Sequence, residues 1–109
     1  MDSVPGMKHD SFKDFVLDQL SGLGEVSAKA MFGGWGLYSE GLFFGIIYRE
    51  RLYFKTDPET RPGYVRAGSK PFTPRRGQTL KNYYEVPVEV IEDPDRLAHW
   101  ARGAITAGK

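Results

Sequence analysis

The chain has no cysteine among its 109 residues. Disulfides, thiolate zinc sites and cysteine nucleophiles are therefore excluded together, and a reducing, cytoplasmic setting is expected. Histidine is scarce too: His9 and His99 are the only two, and their spacing fits no metal motif. No serine sits in a G-x-S-x-G elbow. Glu89, Glu92 and Asp93 stand where a helix N-terminus favours negative charge, not as a pair for acid–base chemistry. No apolar run approaches the roughly 20 residues that span a bilayer. The opening "MDSVPGMKHD" lacks the charged-then-apolar layout of a signal peptide. These absences lead to an expectation of no enzyme activity, no cofactor, no metal and no membrane partner. A net charge of +1 does not imply nucleic acid by itself.

What is present fits one globular domain: 40% hydrophobic, 14% aromatic and 27% charged residues in a chain too short for two cores. Residues 1–9 read as a flexible lead and 10–107 as a single domain. The spacing of Phe12, Phe15, Val16, Gln19, Leu20 and Leu23 predicts an amphipathic helix over 11–23. "VSAKAMF" (26–32), "LFFGIIY" (42–48) and "RLYFKT" (51–56) read as strands of an antiparallel meander, with Ser39-Glu40-Gly41 as a turn. Asp57-Pro58 announces a short helix that begins near Glu59–Arg61 and ends at Gly68. Residues 70–78 read as a loop with an extended piece around Phe72, and "NYYEVP" (82–87) as a strand. In "EDPDRLAHWARGAITAG", Asp93 caps a helix, Pro94 takes its first position, and Leu97, Trp100, Ala101, Ala104 and Ile105 form the buried stripe. The order is helix, three strands, helix, one or two strands, helix. The class is α+β, a two-layer fold of an antiparallel sheet with flanking helices.

Two features stand out from this background. Gly33, Gly34 and Gly36 fall where one long strand would bend, and a bulge or kink explains them. A phosphate-cradling loop does not, because "GGWG" matches no phosphate-loop spacing and no lysine-serine or lysine-threonine pair follows. Gly45, between Phe44 and Ile46, suits close approach of a helix or ring. The second feature is an interval without acids. Between Thr60 and Tyr84 stand Arg61, Arg66, Lys70, Arg75, Arg76 and Lys81 with no carboxylate, interleaved with Tyr64, Phe72, Tyr83 and Tyr84; Glu85, Glu89, Glu92, Asp93 and Asp95 follow. Such a segment can hold a phosphate backbone or stack bases. The favoured reading is a solvated loop whose aromatics face the core, and the segment could equally meet the acidic segment of a second copy.

The runs Met31-Phe32-Gly33-Gly34, Gly36-Leu37-Tyr38, Leu52-Tyr53-Phe54-Lys55, Thr60-Arg61-Pro62, Gly68-Ser69, Pro71-Phe72, Tyr83-Tyr84-Glu85-Val86-Pro87 and Trp100-Ala101 occur in this order over about residues 10–107. In them the chain resembles the N-terminal domain of the TfoX family, competence regulators of bacteria. Full-length family regulators carry a second, C-terminal domain, so the resemblance implies a stand-alone first domain. It implies the order α-β-β-β-α-β-β-α, like that of type III secretion chaperones, and transcriptional control exerted through other regulators. It brings no catalytic residue.

The expected function is a non-enzymatic regulatory domain that works through protein partners. Direct nucleic-acid binding through the basic 60–84 segment, with Tyr83 and Tyr84, is the alternative. A small-ligand or enzymatic role in a pocket walled by the glycine-rich sheet ranks last. Homodimerisation is expected from the short sheet, the segregated charge and the secretion-chaperone likeness.

Overall fold

A computed structural model describes residues 5–31, 33–75 and 78–109. Helix α1 spans Pro5–Gln19, and a single 3₁₀ turn follows at Ser21–Leu23. Four strands come next: β1 Val26–Met31, β2 Gly34–Ser39, β3 Leu42–Tyr48 and β4 Arg51–Lys55. The short helix α2 is Arg61–Arg66. Strands β5 Pro71–Arg75 and β6 Gln78–Glu85 lead to α3 Val88–Ile91 and the closing helix α4 Pro94–Gly108. The six strands form one antiparallel sheet in the order β1-β2-β3-β4-β6-β5. The α+β class and the element order agree with the reading of the sequence. The first strand, however, is folded back on itself as two arms.

That reversal is the role of the glycine cluster. Met31 pairs with Gly34, so the chain reverses between β1 and β2, with Gly33 at φ 83°. The glycines mark a hairpin between two strands, not a bend within one. The next two connections are equally tight. Ser39 pairs with Leu42 and Tyr48 with Arg51, which leaves two-residue loops at Glu40-Gly41 and Arg49-Glu50. All four loop residues have positive φ, the geometry that matches the twist of paired strands. At Arg49 and Glu50 that geometry is imposed on residues with a Cβ.

Helices cover one face of the sheet. Val16 and Leu20 of α1, Tyr64 of α2, Val90 and Ile91 of α3, and Leu97, Ala101 and Ala104 of α4 share one core with Leu37, Phe44, Ile47, Leu52 and Phe54. A β-bulge between β2 and β3 sets Phe44 on this side. A Cβ at Gly45 would stand 3.2 Å from the Phe54 ring and 3.1 Å from the Tyr53 carbonyl oxygen, so glycine there admits the close packing of β4.

Helix ends differ from expectation where local signals are weak. The apolar spacing begins only at Phe12, yet α1 starts at Pro5, whose fixed φ suits a first helical position. Phe15 of the expected stripe is 43% exposed. Gln19 instead reaches across to donate to the Ile91 carbonyl at 2.9 Å. Into α2 the chain makes a tight turn, in which the Asp57 carboxylate accepts the N–H of Thr60 at 2.9 Å and of Glu59 at 3.0 Å. The Thr60 N–H above all holds the Asp57 pKa below the ordinary carboxylate range. What the charged turn adds is present above the unfolded carboxylate pKa and is lost as pH falls through the lowered one.

At α4 the Asp93 carboxylate accepts the N–H groups of Asp95 at 3.1 Å and Arg96 at 3.3 Å, as its position before Pro94 predicts. Asp93→Ala should cost about 1 kcal/mol, a fall of a few degrees in Tm by thermal circular dichroism. Asp93→Asn should keep most of the stability.

Candidate interaction surface

The other face of the sheet carries no helix among the described residues. A second apolar cluster forms there from Ile46, Tyr53 and Phe72, with Phe43, Tyr48 and Tyr83 packed around it. Phe72 belongs to β5, three places from β3 in the sheet order, roughly 14 Å away were the sheet flat. Yet its ring centroid lies 5.4 Å from that of Tyr48 and 4.6 Å from that of Tyr53. Register shifts in the β5–β6 pairing, on both sides of Phe72, let this hairpin curl over the face. The expected loop over 70–78 thus contains an edge strand, and Pro71 and Pro74 are tolerated because an edge strand need not donate on both sides.

Beside the curl the rings are half-buried. Phe43 lies 5.3 Å from Tyr38 and 5.7 Å from Tyr83, centroid to centroid. Three cations stand over three tyrosine rings: Lys29 over Tyr38 at 5.0 Å, Arg49 over Tyr48 at 5.3 Å and Lys55 over Tyr83 at 5.4 Å. Strand alternation adds Lys81 to the same face as Tyr83. Arg51 bonds Glu85 at 3.0 Å, so an acid here already has a cation. Burial, and then nearby Glu85, raises the Tyr53 phenol pKa; burial, and then Tyr38, does the same for Tyr83. Both phenols stay neutral at physiological pH and keep an O–H to donate.

The basic segment read from the sequence does not form one surface. Arg61 turns inward, donating to the Thr56 hydroxyl at 2.9 Å and the Asn82 side-chain carbonyl at 3.1 Å. Arg66 is exposed at the end of α2, beside α4. Lys70 is exposed before β5. Arg75 ends β5, its side chain outside what is described, and Arg76 lies outside the described residues. Lys81 and Tyr83 belong to the helix-free face, whereas Tyr84 packs against Tyr64 on the helix side, 6.1 Å between centroids. On the helix-free face the cations that gather with aromatics are Lys29, Arg49 and Lys55, outside the segment; Lys13 of α1 stands over Trp35, 4.4 Å from the ring centroid. The signal that could have found them is strand alternation: Lys29 two residues before Met31, and Lys55 two after Tyr53. The acids Glu89, Glu92, Asp93 and Asp95 lie on and between α3 and α4, in the helical layer. Gly34 and Gly36 line the helix-free side of β2: a Cβ at Gly36 would meet Met31, Phe43 and Tyr38.

Among the described residues no group of three or more His, Asp or Glu is placed to hold a metal ion. None of their helices is long and apolar enough to cross a membrane. Residues 18–108 match the family model of the TfoX N-terminal domain. No curated protein matches the chain.

Proposed function

The chain belongs to the TfoX N-terminal domain family, associated with competence regulation, and on that premise we propose a non-enzymatic regulatory domain that docks an acidic segment of a partner protein. The observation that carries this reading is the helix-free face, where half-buried rings lie under Lys29, Arg49 and Lys55. Rings with an apolar body and a polar tip are the usual anchors of an interface, and a surplus of one charge selects the partner's sign. Transcriptional control would then act through that partner. Pairing between copies belongs to the β1 edge, the end strand without proline. A two-fold contact through the helix-free face would set cation against cation.

The test is capture of a partner by the tagged domain, compared with the double variant Lys29→Glu/Lys55→Glu. Loss of an acidic partner in that variant, with retention in an Arg66→Glu control, is the expected result. Capture that ignores the charge reversal would remove this face as the docking surface. Binding of single-stranded oligonucleotides, with affinity falling steeply with salt and abolished by the same reversal, would instead assign the face to nucleic acid.

A further inference from the structure

In the helical layer residues of α2 and α4, with the turn before α2, line a groove of about 600 Å³, within the size range of small-molecule sites. Its lining includes Glu59, Tyr64, Arg66, His99, Trp100 and Arg102. Tyr64 is only 3% exposed and meets Trp100 edge-on, 4.6 Å between ring centroids. Among the described residues none pairs with its hydroxyl, although buried polar groups ordinarily have a partner. Burial raises the phenol's pKa far above its ordinary value, so it remains a hydrogen-bond donor. Among the described residues Arg66 and Arg102 have no ion-pair partner. Of the groove's two acids, Asp57 is engaged by the turn before α2, and Glu59 is exposed, its side chain without a bond among the described residues.

We propose that this groove binds a nucleoside monophosphate. Arg66 and Arg102 take the phosphate, the Trp100 indole takes the base, Glu59 accepts a sugar hydroxyl, and the Tyr64 hydroxyl donates to an acceptor on the ligand. Each assignment follows from chemistry: guanidinium groups fit phosphate oxygens, an indole offers a surface for a planar ring, and a free carboxylate accepts from hydroxyls. A simple anion would use the arginines and leave the indole and Glu59 without a role. This site is separate from the helix-free face and stands or falls independently of it.

The test is calorimetric titration of the full chain with the four ribonucleoside monophosphates, their nucleosides and inorganic phosphate. At least one monophosphate should bind more tightly than its nucleoside and than phosphate. Arg66→Ala/Arg102→Ala should weaken it at least about tenfold. Tyr64→Phe should weaken it by about tenfold while leaving the Tm of the free protein unchanged or higher, because no internal hydrogen bond is lost. Three results would overturn the proposal: no binding of any monophosphate at millimolar concentration, phosphate binding as tightly as the nucleotides, or affinity that survives both variants.

Discussion

Gly34→Ala is expected to destabilise the domain by at least about 3 kcal/mol, a fall in Tm of roughly 10 °C or more. A Cβ at this position would overlap the carbonyl oxygen of Ile47 and approach the Tyr48 Cα within 3.3 Å. These are backbone atoms of β3 in the interior of the sheet, and Ile47 is 2% exposed. No side-chain rotation relieves the overlap; β2 and β3 would have to separate. Two other glycines calibrate the claim. At Gly36 the tightest contact is the Met31 sulfur at 2.6 Å, the end of a flexible side chain, so Gly36→Ala should cost less. At Gly22 a Cβ meets nothing within 4 Å, and Gly22→Ala should change little. Thermal unfolding of the three variants should rank them in that order. A Gly34→Ala protein that melts within about 2 °C of the parent would refute the close approach.

The same glycines show where sequence reading reached its limit. Apolar alternation and the flanking turn residues located β3, β4 and α4, and Asp93-Pro94 placed the start of α4, because those signals are local. The β1–β2 reversal was hidden, because residues 32 and 33 carry no Asn-Gly or Asp-Gly signature and the glycine cluster reads equally well as a bend. α3 has only four residues and follows Pro87, too short for periodicity to register. The candidate surface was less legible still. Lys29, Tyr38, Lys55 and Tyr83 come from four strands, and only the register of β1 with β2 and of β4 with β6 brings each cation to its ring. Chain proximity grouped Arg61 with Lys81 and Tyr83 with Tyr84, yet the first pair differ in burial and the second point to opposite faces. Charge counting along a sequence weighs each cation alike and cannot see which are already engaged.

Arg61 is the clearest case, and its replacement should show up in stability, not in binding. From the first turn of α2 it donates to the hydroxyl of Thr56, which is 3% exposed, and to the side chain of Asn82. Thr56 in turn bonds the Asn82 carbonyl through its own N–H at 2.6 Å and its hydroxyl at 3.0 Å. The guanidinium therefore braces the end of β4 against β6 and fixes α2 over the junction. Hydrogen bonds to a charged group contribute about 1.5–3 kcal/mol, and partial exposure of Arg61 puts Arg61→Ala near the lower part of that range, about 2 kcal/mol. Arg61→Lys should recover little, because an ammonium cannot reproduce the fork that spans Thr56 and Asn82. Arg66→Ala, which removes an exposed cation without internal bonds, should stay within about 0.5 kcal/mol of the parent. Measured together, urea unfolding and partner or oligonucleotide affinity separate the two roles. A phosphate-contacting Arg61 would lose affinity at unchanged stability, whereas the brace loses stability and leaves the affinity of the folded protein intact.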